Sequence, residues 1–323
     1  MEKMIHSTTS LPDCFVFPPD QVPPASSAVV SLPVVDMSCS RDEVRRAILD
    51  AGKELGFFQA SAWRCMQVIN HGVSEQAMQD MAAVGEEFFR LPAADKTGGE
   101  RYWRDCLRFA YDFPVGNSTK DWPGKPHRLR EVVENFTLLT RGLATELLRL
   151  LSEGMGLPLD YFEGDLSGGY VTLDINHYPP CPNPGITLGL PPHCDRDLMA
   201  ILLPARVPGL EVAYKGDWIK VQPVPHAFVV NFGQQLEVVT NGMSKSIEHR
   251  VMTNSALART SVAVFIAPTE DCLIGPAEEF LSKENPPCYR TLKFCDFKRN
   301  YNVIKLGSSL NLRTNLRKIQ KEG

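Results

Sequence analysis

The sequence contains no CxxC pair, no long apolar run and no excess of basic charge, and each absence removes a class of function. Nine cysteines are present, but without CxxC spacing neither a zinc ribbon nor a thioredoxin-like centre is expected. No stretch reaches the ~20 apolar residues of a membrane span. The opening MEKMIHSTTSLPDCFVFPPD lacks the basic region and apolar core of a secretory signal. Lys and Arg number 34 against 38 Asp and Glu, a net charge of −4, which gives no electrostatic reason to bind nucleic acid or an anionic membrane. Internal repeats and low-complexity tracts are missing too. These absences leave an expectation of a cytoplasmic monomer with reduced thiols, whose partner is a small molecule. At 323 residues the chain is long enough to bury a substantial core.

What is present divides the chain by pattern. Residues 1–30, rich in Pro and Ser, read as an extended lead-in. Residues 31–125 read as a helix-rich N-terminal domain. In it LPVVDMS (32–38) predicts a short strand, and Ser40 with Glu43 predicts a capping box ahead of a helix carrying Val44, Ala47, Ile48, Ala51 and Leu55. A second helix is expected over 74–90, with Met78, Met81, Ala82, Phe88 and Phe89 on its apolar side. Residues 126–165 hold a long connecting helix, with a stripe of Leu129, Val132, Val133, Phe136, Leu143, Leu147, Leu150 and Leu151. Residues 166–270 change character: YVTLDINHY, DLMAILLP, GLEVAY, DWIKVQPV, AFVVNFG, SIEHRVM and RTSVAVFIAP are short β-rich runs between turn signals. Such spacing predicts a sandwich or barrel. Residues 271–323 read as a C-terminal helical segment and a polar, basic tail. Eight residues, ASAWRCMQ (60–67), interrupt what would otherwise join LGFFQ and VINHGV into one strand.

Within the β-rich half, LGLPPHCDRDLMAILL (188–203) places a histidine and an aspartate inside an apolar run. Buried polar groups of this kind are costly unless paired or bound to metal. If 190–203 is a strand, His193 and Asp195 share a face and Cys194 faces away. His249, in SIEHRVM, is the candidate third ligand. Two histidines and a carboxylate occupy one face of an octahedron and leave the opposite positions open, the arrangement of non-haem Fe(II) oxygenases. An isolated H-x-D is more often a hydrogen-bonding pair, so its company matters. Arg259 and Ser261, in RTSVAVF, also share a strand face, where the guanidinium can take a carboxylate by two prongs. Tyr178, in NHYPPCP, can add a phenolic hydrogen bond. His71, His127, His177 and His226 read as structural or solvent-facing. Phe109, Phe113 and Phe265 are candidates for the lining of an apolar substrate pocket.

In chain order, N-x-Y-P-P-C-P, H-x-D, NFGQQLEVVTNG, HRV and R-x-S resemble the plant 2-oxoglutarate- and Fe(II)-dependent dioxygenases. LPVVDMS, VINHGV and EEFFRLPAADK are similar to the N-terminal domain of that family, so the resemblance covers about residues 30 to 300. YWRDCLR, WPGKPHRLREVV and ENPPCYRTLKFCDF point within it to the group of the hyoscyamine 6-dioxygenases and deoxymugineic-acid dioxygenases. The resemblance implies a double-stranded β-helix, or jelly-roll, core with flanking helices. It implies that His193, Asp195 and His249 bind Fe(II), and that Arg259 and Ser261, with Tyr178, hold the distal carboxylate of 2-oxoglutarate. The implied reaction consumes O2, with ascorbate as supporting reductant. It converts the co-substrate to succinate and CO2 and hydroxylates or desaturates a small specialised metabolite, expected to have an apolar or aromatic body. The chain departs from the family where only TGGE (97–100) stands between LPAADK and YWRDCLR. That departure motivates an alternative, a non-catalytic cupin-like binding protein lacking part of its substrate pocket. A zinc-dependent hydrolase would use the same triad but would not require Arg259 and Ser261.

Overall fold

The computed structural model describes residues 15–16, 29–30, 32–52, 65–92, 102–111, 122–214 and 216–304. Along the chain, strands β1 (Val29–Val30) and β2 (Val34–Asp36) precede helix α1 (Arg41–Gly52). Strand β3 (Cys65–Ile69), helix α2 (Glu75–Arg90), strand β4 (Asp105–Tyr111) and helix α3 (Leu129–Met155) follow. The β-rich half then runs β5 (Val171–Tyr178), β6 (Leu188–His193), β7 (Met199–Leu203), β8 (Leu210–Tyr214), β9 (Asp217–Val221) and β10 (Phe228–Phe232). Helix α4 (Gln234–Val239), strands β11 (His249–Met252), β12 (Arg259–Ile266), β13 (Leu273–Ile274) and β14 (Leu292–Lys293), and helix α5 (Phe294–Ile304) complete the order.

The local chemistry of the helices matches their sequence signals. Ser74 caps α2, its Oγ accepting from the Ala77 backbone N–H at 3.2 Å, and Arg90 lies in the last turn. At the head of α1, the Ser40 backbone N–H donates to Glu43 Oε2 at 3.0 Å, one half of the expected box. Helix α3 ends on Gly156, whose φ of 74° is the left-handed conformation that glycine reaches without steric cost. The predicted stripe of α3 is buried apart from Val132, which is half-buried. No described helix is long and apolar enough to cross a membrane.

Two main sheets carry the site. The larger has seven strands in the order β2-β3-β10-β7-β12-β5-β4, and the smaller has five in the order β1-β9-β8-β11-β6. Alternation along the larger sheet separates its faces. One face presents Val68, Val230, Ile201, Val264, Val262, Leu173 and Ile175 to the helices, where they join Met81, Phe88, Phe136 and Leu147 in the main core. The other face meets the smaller sheet. Part of that contact is apolar, with Val229 and Cys65 against Val212, Ile219 and Val221. Most of the remainder is polar: Asp174, Asn176, Tyr178, Asn231, Arg259 and Ser261. This is the expected jelly-roll core with flanking helices.

Two expectations need correction. The run from Leu188 to Leu203 is two strands in different sheets: β6 lies at the edge of the smaller sheet and β7 in the interior of the larger. Pro191 and Pro192 lack the N–H groups that an interior strand must donate, which confines β6 to an edge. Of ASAWRCMQ, Cys65, Met66 and Gln67 form the start of β3, paired with β10 and β2. Residues 60–64 lie outside the described residues, as do 97–100 and Phe113.

Candidate metal centre

The crossover that breaks the expected strand also builds the site. Strand β6 ends at His193, and β11 begins at His249, its partner in the antiparallel register. The two imidazole centroids are therefore 4.2 Å apart, with ring planes inclined by 54°. Asp195 follows in the crossover between the sheets, where its carbonyl accepts the Gln234 backbone N–H at 2.9 Å. Its Oδ1 lies 3.6 Å from His249 Nε2 and 3.9 Å from His193 Nε2. One ligand atom from each residue falls within 4.8 Å of the other two. The side chains converge as the spacing predicts, through a loop instead of a shared strand face.

Hydrogen bonding orients both rings. His193 Nδ1 lies 2.8 Å from the Pro191 carbonyl, and His249 Nδ1 lies 3.2 Å from the Ile247 carbonyl. A carbonyl only accepts, so each Nδ1 carries the proton and each Nε2 turns a lone pair toward the centre. Asn231 Nδ2 donates to Asp195 Oδ2 at 3.5 Å, leaving Oδ1 on the histidine side. Two neutral imidazole nitrogens and a carboxylate oxygen fit a divalent first-row metal, with the remaining positions open.

The second half of the site lies on the larger sheet. Arg259 and Ser261 share its inner face on β12, and Arg259 pairs with Tyr178 on β5. Arg259 Nη1 donates to Ser261 Oγ at 2.9 Å, and its Cζ lies 5.2 Å from the Tyr178 ring centroid. The guanidinium is buried, and among the described residues its Nε has no hydrogen-bond acceptor. Burial pushes its pKa down, opposed by the neighbouring phenol. A cation placed so is costly unless an anion joins it. Burial pushes the Tyr178 phenol up, with Arg104 and Arg259 pulling the other way. Tyr178 packs against β6 at Gly189, where a Cβ would come within 2.6 Å of its ring, so any larger residue would displace it.

The two phenylalanine candidates within the described residues part company. Phe265 stands on the inner face with Arg259 and Ser261, opposite Ala200 and Thr172. Phe109 points the other way into the helix-facing core, its ring 4.9 Å from Trp122. The register on β4 explains this, because Phe109 pairs with the core residue Leu173. Among the other histidines, His71 Nε2 lies 3.0 Å from the His226 carbonyl and His177 Nδ1 lies 2.8 Å from Thr260 Oγ1, both structural contacts. Sequence reasoning missed Arg104, which donates from Nη1 to Asn176 Oδ1 at 2.9 Å and also hydrogen-bonds Tyr178. Arginine types alone carry no signal of that burial.

Comparison with known proteins identifies the family. Residues 171–268 match the 2OG-Fe(II) oxygenase superfamily, and residues 32–101 match the N-terminal domain of non-haem dioxygenases in morphine synthesis. The chain is 64% identical to 2'-deoxymugineic-acid 2'-dioxygenase of Hordeum vulgare, covering 100% of both chains. It is 56% identical to mugineic-acid 3-dioxygenase of the same organism, over 98% of this chain and 97% of the relative. The crystal structure of JOX2 in complex with 2OG, Fe and JA superposes with a TM-score of 0.81 at 31% identity, covering 91% of this chain and 90% of that one. Similarity of this extent, reaching from end to end, decides against a non-catalytic binding protein, and the chain belongs to the plant 2-oxoglutarate- and Fe(II)-dependent dioxygenases.

Proposed function

We propose that this dioxygenase oxidises a C–H bond of an organic acid of the mugineic-acid class, with His193, Asp195 and His249 holding Fe(II). The observation that carries the ligand assignment is the convergence of two imidazoles and one carboxylate within 4.8 Å, and the larger sheet adds a buried arginine, Arg259, for which the described residues supply no carboxylate. Support for the substrate class comes from the 64% and 56% identical relatives, named for 2'-deoxymugineic acid and mugineic acid. The polar inner face, with Asp174, Asn176 and Asn231, suits such a substrate better than the apolar or aromatic body expected from phenylalanines.

Fe(II), when bound with 2-oxoglutarate and O2, would supply the oxidising chemistry, in which the 2-oxoglutarate is converted to succinate and CO2. The chain supplies position. His193 and His249 keep their protons on Nδ1 and so offer neutral nitrogens, and Asp195 offers the one charged oxygen. Arg259 takes the distal carboxylate of 2-oxoglutarate by its fork, with Ser261 and Tyr178 lining the same end. That contact would give the buried guanidinium an anionic partner. Phe265 lies on the same inner face and forms part of the substrate wall. We also place the protein in the cytosol as a single chain, a reading that its free thiols, buried Cys65 and Cys181 among them, support.

The test is turnover of 2'-deoxymugineic acid by protein purified anaerobically and supplied with Fe(II), 2-oxoglutarate and O2. Succinate and an oxidised product, both detected by mass spectrometry, are expected from the native chain. His193→Ala and Asp195→Ala should each reduce both to background. Full succinate formation by either variant overturns the ligand assignment.

A further inference from the structure

The crossover that carries Asp195, residues 194–198, belongs to neither β6 nor β7, so its backbone is held by other means. Four of its carbonyls are taken by the chain entering α4. Asp195 accepts from the Gln234 N–H at 2.9 Å, Asp197 from the Gln235 N–H at 3.3 Å and Leu198 from the Gly233 N–H at 3.0 Å. Arg196 accepts from Gln235 Nε2 at 2.7 Å. The fifth carbonyl, that of Cys194, is reached from the C-terminal helix. Tyr301, on α5, lies with its hydroxyl 3.0 Å from it. A carbonyl only accepts, so the phenol is the donor.

Helix α5 is seated so as to present that hydroxyl. Phe294, Phe297 and Tyr301 follow at steps of three and four, which puts them on one helix face. Phe294 and Phe297 belong to the main core, and Tyr301 packs against it, its ring 6.1 Å from that of Phe297. At the helix start, the Phe294 N–H donates to the Cys272 carbonyl at 3.0 Å and the Cys295 N–H to the Glu270 carbonyl at 2.9 Å. One turn before Tyr301, Lys298 Nζ donates to the Tyr170 hydroxyl at 3.0 Å. A phenylalanine at 301 would fill the same place, so packing does not account for the hydroxyl. The carbonyl it holds belongs to the peptide joining Cys194 to Asp195. That unit is planar and ends at the Asp195 Cα, so turning it re-aims the carboxylate relative to His193.

We propose that Tyr301 is a positioning residue for the metal: its hydrogen bond fixes the peptide between His193 and Asp195 and so sets how the carboxylate meets the ion. This rests on the ligand assignment above. The probe is Co(II), a first-row divalent ion that accepts the same nitrogen and oxygen donors and whose visible bands respond to their arrangement. It is titrated into the metal-free native chain, Tyr301→Phe and Phe109→Leu. Tyr301→Phe should raise the Co(II) Kd by about tenfold, the scale expected when an outer partner of a metal site is lost, and shift the visible bands. Phe109→Leu thins the core on the helix-facing side of the sheet. It should lower Tm and leave both Kd and bands as in the native chain. A native Kd and native bands in Tyr301→Phe overturn the Tyr301 proposal alone. An equal loss of affinity in Phe109→Leu also overturns it, because lowered stability would then explain both. If the native chain binds no Co(II), or His193→Ala binds it equally well, the ligand assignment itself fails and takes this proposal with it.

Discussion

Phe109 and Phe265 are alike in type and lie two strands apart in one sheet, and they differ by the face they occupy. Phe109→Ala leaves a cavity beside Trp122, and a loss of about 3–5 kcal/mol is expected in denaturant or thermal unfolding. Phe265→Ala should change KM for the organic acid, with a smaller loss of stability, because that ring is only half-buried. Equal destabilisation by the two substitutions, with no kinetic effect at Phe265, would contradict the assignment of faces. The residues most legible in the sequence were those whose chemistry is rare. An H-x-D, a later histidine and an R-x-S carry specific donor types, and the structure brings them together. An aromatic residue carries no such mark. Its face follows from strand register, which local sequence does not reveal for β4. Arg104 and Tyr301 escaped notice for a related reason: their meaning lies in burial and in partners 72 and 107 residues away.

Among the elements, α2 and α3 were the easiest to foresee, because 3.6-residue periodicity runs along their whole length. The cap on α2 gives a direct check. Ser74→Ala removes the acceptor for the Ala77 N–H, and a loss of about 1 kcal/mol in unfolding free energy is expected, with activity retained at a temperature well below the transition. The strands were foreseen in kind, and seven runs each contain one. The failure at 188–203 is instructive. LGL and LMAILL are both apolar, so reading 190–203 as one strand joins β6 to β7 across the polar HCDRD between them. The signal against joining them was the Pro191–Pro192 pair, which interior strands exclude. Asp195 therefore reaches the histidines from a crossover, and its place depends on the Gln234 contact as much as on spacing along a strand.

Across the whole molecule, the proposed ligands come from both sheets: His193 and His249 from the smaller, Arg259 and Tyr178 from the larger, and Asp195 from the chain passing between them. A metal and co-substrate bound there should favour the folded state by mass action, by about 2.7 kcal/mol at a hundredfold excess over Kd. Anaerobic thermal denaturation should show a higher Tm with Fe(II) and 2-oxoglutarate together, and Asp195→Ala should lose that rise. An unchanged Tm for the native chain at saturating concentrations would argue against the assigned ligands. Because the register of β6 against β11 sets one imidazole opposite the other, a slip by a single residue would send the two rings to opposite sides of the ribbon. The pairing of these two short strands thus acts as a proofreading step. A chain misaligned there would fold into much the same silhouette and yet capture no ion, which makes ferrous uptake a sensitive report of correct assembly.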